Sequence, residues 1–214
     1  MSLLKKIYLS PLGLFISIIM NVLRFFTKPF MVYGYFSKNG LLKNTRISST
    51  TSIINKNNLK VGDNCWIWHH SIIDASNGVE IGEGVQIGAF VGIFTHSSHV
   101  AIRLLGTDFI NKDSSDRVGY VRAPVSIGDY SFIAASAVIM PGTNIGKGCV
   151  IGAGSIVKGD IPDYSIVAGN PCRIVGSIDS LDKHFINEVG VDLTYFDSEH
   201  FLKLRNEFSG DNRG

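Results

Sequence analysis

Charge is scarce in this chain and nearly balanced: 20 Lys and Arg against 18 Asp and Glu leave a formal +2 over 214 residues. The basic residues are scattered rather than clustered, so nothing points to nucleic acid. Cysteine is rarer still. Three residues, an odd number, with no CxxC pair and no Cys/His zinc spacing, argue against a disulfide framework and against a zinc module. Cys65 and Cys149 read as buried thiols in a reducing compartment, and Cys172 as a packing residue. An uninterrupted apolar run of membrane length is also missing. The uncharged run Ile7–Leu23 has 17 residues, at the lower limit for a span, and contains Ser10, Pro11, Ser17 and Asn21. No small-x-small cleavage site follows it closely, which argues against a secretory signal.

What the chain has is glycine, 23 residues without a collagen triplet, and a period of six. Ile127, Ile133, Ile139, Ile145, Ile151 and Val157 recur at that step, with Gly128, Gly146 and Gly152 directly after three of them. Four places on from each stands a small residue: Ser131, Ala137, Thr143, Cys149 and Ser155, with Ile161 the one exception in size. A period of six fits neither a helix near 3.6 nor simple strand alternation. It is a hexapeptide repeat and predicts a parallel β-helix, each hexad one flat side of a coil. Coils then stack about 4.8 Å apart and pair their backbones. Upstream, Ile47, Ile53 and Leu59 keep the step, and a slip of two leads to Val61, Ile67 and Ile73. A second slip near Ser76-Asn77-Gly78 sets Ile81, Ile87 and Ile93. Both slips are expected at corners, where extra residues are solvated. Between Ile93 and Ile127 the frame breaks, and the polar stretch Thr107–Asp116 marks a loop insertion over 97–124, a natural place for function.

These repeats cover about residues 47–176 and end on Val167-Ala168-Gly169-Asn170-Pro171-Cys172-Arg173. Together they resemble the hexapeptide-repeat acyltransferases. The resemblance implies an all-β solenoid, a left-handed parallel β-helix; the hand comes from the resemblance, since left-handed crossovers are rare. It further implies acetyl-CoA as co-substrate, a homotrimer, and a sugar or polysaccharide acceptor, with no metal. The organisation expected is an apolar N-terminal segment over 1–42, the β-helix domain over 43–176, and a helical cap and tail over 177–214. In the cap, Leu181, Phe185, Ile186 and Val189 stand at helical spacing, and a solenoid needs such a cap. The N-terminal run is flanked by Lys5, Lys6, Arg24 and Lys28 and continues into Phe25, Phe26, Phe30 and Tyr33. It reads as a packing helix or a peripheral membrane contact rather than a span. A cytoplasmic protein, at the inner face of the plasma membrane, is the matching location.

His96 is the candidate general base: it follows the last regular hexad, Ile93-Phe94-Thr95, at the foot of the insertion. A sugar hydroxyl is a poor nucleophile at neutral pH, and an imidazole can take its proton as it attacks a thioester. A lone histidine is more often a surface or core residue; position and resemblance favour the catalytic role. His99, three residues on, is a competitor or an acceptor ligand. His69 and His70, with Trp68, are candidates to face the same cleft from an upstream coil and contact the acceptor; the alternative is solvated corner residues with exposed rings. Asp74, Asp108, Asp113 and Asp116 cannot be ranked as the carboxylate that orients His96. By resemblance, the pantetheine arm of acetyl-CoA runs past Ala135 and Ala153, one coil apart, with Lys158 and Arg173 near its phosphates. Other readings stay open: N-acetylation of an amino-sugar nucleotide, a zinc enzyme like the γ-type carbonic anhydrases built on the histidines, or a non-catalytic scaffold.

Overall fold

The computed structural model describes residues 10–38 and 40–210, apart from the side chains of residues 209 and 210. Lys5, Lys6 and the tail beyond 210 lie outside the described residues. The chain divides into two compact units, Met1–Phe30 and Met31–Gly214.

The first unit holds helix α1 (Pro11–Phe26). Ser10 caps it, its hydroxyl accepting from the Gly13 N–H at 3.2 Å, and Pro11 occupies the first turn, where a missing N–H costs nothing. Among the described residues no helix is long and apolar enough to cross a membrane.

The second unit begins earlier than position 43. Met31–Ser37 pairs antiparallel with Gly40–Ser48, so that Tyr35 faces Leu42 and Phe36 faces Leu41. A boundary at 42 would split this ladder, and the division falls after Phe30 instead. From Gly40–Ser48 onward the chain winds as a parallel β-helix with three faces. Face 1 stacks Ile47, Ile67, Ile87, Ile133, Ile151 and Val167. Face 2 stacks Ile53, Ile73, Ile93, Ile139 and Val157. Face 3 stacks Val61, Ile81, Ile127, Ile145 and Ile161. Most of these side chains are fully buried, and each contributes about 1.5–3 kcal/mol by leaving water.

Two expectations change here. The slips are not solvated corners: Leu59, Val79 and Val125 pair with one another on face 3 and are buried. In a strand, residues two apart point the same way, so each slip adds a second inward residue. Ile161 is not an oversized small-site residue either. It pairs with Ile145 in the aliphatic ladder, because the chain shortens its step to four after Val157.

The glycines after the ladder residues answer to close stacking. A Cβ on Gly128 would lie 2.5 Å from Lys147 N and 2.6 Å from the Gly146 carbonyl carbon. Backbone is met on the far side, not a side chain that can swing away. Gly128→Ala is therefore expected to cost about 1–3 kcal/mol, read as a lower denaturant midpoint.

The insertion contains helix α2 (Ala101–Leu105) and two 3₁₀ turns. At the far end, the Gly169-Asn170-Pro171 phrase turns a hairpin between Ser165–Gly169 and Cys172–Ser177. The cap follows with α3 (Asp179–Asp182) and α4 (Ser198–Gly210). The helical spacing through Val189 is not realised: Phe185 and Val189 are exposed, and only Ile186 enters a small core with Leu193 and Leu204. This cap is fastened to the β-helix along the edge between faces 3 and 1. His200 stacks on Tyr164 at 3.8 Å, and Asp197 accepts from both Lys147 Nζ and Tyr164 Oη. Those two donors hold the Asp197 carboxyl down at about 2.

Candidate active site

The insertion leaves the coil at Thr95, and Thr95 ties its two feet together. Its carbonyl accepts from the Ala123 N–H, where the chain returns, and from Asn77 Nδ2, both at 3.0 Å. The buried hydroxyl donates to the Asp74 carbonyl at 2.9 Å and accepts from the Asn77 N–H at 3.0 Å. One residue further, His96 and Ser97 pair antiparallel with Arg122 and Val121. His96 is thus held by this backbone pairing, next to the Thr95 tie, at the edge between faces 2 and 3.

The orienting carboxylate is Asp74. His96 Nδ1 lies 2.6 Å from Asp74 Oδ2, the carboxylate being 1% exposed and the imidazole 38%. Burial alone would raise the Asp74 carboxyl. The hydroxyl and N–H of Ser76, the charge of His96 and the Thr95 N–H outweigh it and hold the group below its ordinary value. An ionised Asp74 takes the Nδ1 proton as its hydrogen bond, which leaves Nε2 as the basic nitrogen. The Tyr120 ring, brought back by the insertion, stacks on the imidazole at 5.6 Å and 10°, with the Arg122 guanidinium over the other ring at 4.5 Å. The pair can accept a proton in one fixed direction.

His99 is exposed and bonds through Nδ1 to Ser97 Oγ at 2.7 Å. His69, His70 and Trp68 do not share the His96 edge within one chain. They sit at the edge between faces 1 and 2, where His69–His70, Ala89–Phe90, Ala135–Ser136 and Ala153–Gly154 stack coil upon coil. The rungs are Phe90 N–H to His69 O, Ser136 N–H to Ala89 O, and Gly154 N–H to Ala135 O, at 2.9–3.0 Å. Their separation from His96 follows from the count of sides: His69 follows a face 1 strand, His96 a face 2 strand. His69 Nδ1 is 2.6 Å from Ser48 Oγ, and His70 stacks on Phe90. Trp68 stacks on Trp66 at 5.4 Å beside a groove of about 170 Å³ that also touches Gln86 and Phe132. The indole N–H of Trp66 is buried and finds no hydrogen-bond partner among the described residues.

Ala135 and Ala153 are stacked as expected, and both are exposed. Arg173 joins them: it pairs with Ala168 where the chain reaches the next step of the same edge. Lys158 does not, because it follows Val157 of face 2 and so lies on the His96 edge. Among the described residues no three of His, Cys, Asp and Glu converge as a metal site within one chain. A hollow of about 440 Å³ over face 3 holds none of these residues.

Two repeat models match the chain: the bacterial transferase hexapeptide over residues 124–159, and the hexapeptide repeat of succinyl-transferase over 58–93. Both models describe hexapeptide repeats, so the regular coils of this chain are similar to that repeat class. Both matches fall on the regular coils that flank the insertion. A Saccharomyces cerevisiae protein named as a candidate acetyltransferase is 38% identical over 132 residues, 61% of each chain. Galactoside O-acetyltransferase of Escherichia coli K12 is 34% identical over 60% of this chain and 58% of its own. The solved galactoside acetyltransferase in complex with coenzyme A is 32% identical, with a TM-score of 0.55, over 63% of this chain and 62% of that one. This hexapeptide-repeat chain spans about a third to three fifths of the length of the curated relatives it matches.

Proposed function

We propose that this chain transfers an acetyl group from acetyl-CoA to a sugar hydroxyl, in a surface polysaccharide or its precursor, as a cytoplasmic homotrimer. The observation that carries it is the His96–Asp74 pair, 2.6 Å apart at the foot of the insertion. Nε2 of His96 takes the hydroxyl proton while the sugar oxygen bonds to the thioester carbonyl carbon. The C–S bond then breaks, and the imidazolium returns the proton to the departing thiolate. No enzyme nucleophile is needed. The names of the galactoside and maltose O-acetyltransferases among its relatives support a sugar acceptor.

The outward residues of face 2, set against those of face 3, support the trimer. On face 3 they are Lys60, Glu80, Ser126, Asn144 and Asp160, all polar. On face 2 they include Ile72, Val138 and Ile156, with Phe94 lying over Gly92. A flat apolar face on a solenoid calls for a cover, and three copies around an axis close on themselves. With face 2 turned to that axis, its two edges meet neighbours. His96 of one copy then meets the edge bearing Ala135, Ala153 and Arg173 of the next, and His69, His70 and Trp68 approach it from the same side. Small side chains at Ala135, Ala153 and Gly154 leave room for a pantetheine arm, Arg173 is a cation for its phosphates, and Lys158 and His99 serve from the His96 edge.

Thiol release from acetyl-CoA with a panel of saccharides tests this reading. Acceptor-dependent release is expected from the wild type. Ile72→Glu should give a monomer by light scattering and lower the rate at least about tenfold, because the site is shared. A wild type without acceptor-dependent release, or a fully active monomer, would refute it.

A further inference from the structure

We propose that α1 is a membrane-interface element, lying in the plane of a bilayer surface rich in anionic lipid. The inference stands on α1 and the sequence around it, not on acetyl transfer. At about 100° per residue, Ser10, Gly13, Ser17, Asn21 and Arg24 fall within a seam of about 80°. Apolar side chains fill about 240° of the circumference, from Leu14 round to Met20. They are exposed: Leu14 by 64%, Phe15 by 61% and Phe26 by 74%, with Gly13 the only buried residue of the helix.

The width of that arc decides between occupants. A helix that packs on a soluble core needs an apolar stripe little over about 100°, and a bundle of copies uses a narrower seam still. Either would leave much of the arc in water. A bilayer surface covers it and leaves the polar seam at the headgroups. Length excludes a span, since 16 residues rise only about 24 Å against a hydrocarbon core near 30 Å.

Charge gives the second, independent observation. The chain's first acidic residue is Asp63. Before it stand nine basic residues, among them Arg24 in the last turn of α1 and Lys28 just beyond. Four of them, Lys5, Lys6, Arg24 and Lys28, fall in the unit that holds α1, which has no acidic residue; anionic headgroups attract such a stretch.

Flotation of the full chain with vesicles tests this without any turnover. On phosphatidylcholine and phosphatidylglycerol in equal parts, the wild type is expected to float. Phe15→Gln with Ile19→Gln, at the middle of the arc, should lower the bound fraction about tenfold or more. Arg24→Glu with Lys28→Glu should weaken binding to the mixed vesicles and change little on pure phosphatidylcholine. Both variants should keep the thermal transition of the second unit. A wild type that stays in solution, or variants that float like it, would overturn the proposal. So would an oligomer that Phe15→Gln with Ile19→Gln breaks apart without any lipid binding, which would make the arc a contact between copies.

Discussion

His96→Ala is expected to lower kcat for acetyl transfer by about 10²–10⁴-fold, the usual contribution of a positioned general base. That corresponds to roughly 2.7–5.5 kcal/mol of transition-state stabilisation. The substitution should leave folding nearly intact, since the imidazole is 38% exposed and the backbone pairing of His96 with Arg122 does not need it. Acetyl-CoA binding, followed by calorimetry, should change by less than about threefold, because the proposed holders of the cofactor are the small-residue edge and its cations, not the imidazole. The loss belongs in kcat. If His96→Ala turned over like the wild type, the base would have to be sought in the insertion, with His99 first. If it lost CoA binding as well as rate, the residue would be holding substrate and not moving a proton.

Much of this architecture could be read from the chain because a period of six is a strong constraint. The ladder from Ile127 to Val157 marks one flat side per hexad, and the small residues between its members name the tight inner positions; the count of three sides comes from the resemblance. What failed to show was anything set by the coil count instead of the hexad. The slips at Leu59 and Val79 looked like corners, since a hexad frame cannot distinguish an extra solvated residue from an extra inward one. The first coils are 20 residues long, Ile53 over Ile73 over Ile93. That length puts Asp74 directly below Phe94 and two residues from His96, a signal available once the coils are counted. For the same reason the hexad frame does not show that His69 and His70 lie one edge away from His96 within a single chain. Tyr120 and Thr95 carried no pattern, because the return path of the insertion is set by tertiary pairing with Val121 and Arg122.

Asp74→Asn is expected to lower kcat by on the order of 10²-fold or more while KM for either substrate moves by less than about threefold. The reason is the tautomer. An ionised carboxylate only accepts, so it keeps the proton on Nδ1 and the lone pair on Nε2; an amide can present its NH₂ and reverse that choice. Stability should fall as well, by about 1–3 kcal/mol, because Ser76, Thr95 and His96 all bond to this buried group. The pH dependence gives a readout that simple loss of packing would not move. The folded carboxyl lies below its ordinary value, so between the folded and unfolded values the unfolded chain binds the extra proton. Its stabilisation is therefore complete above about pH 4, the unfolded value, and is lost as pH falls through the lower folded one. The wild type should lose stability across that acid window more steeply than Asp74→Asn, and the two should run parallel near neutrality. A variant with full kcat, or with an acid limb as steep as the wild type's, would remove Asp74 from its place behind His96.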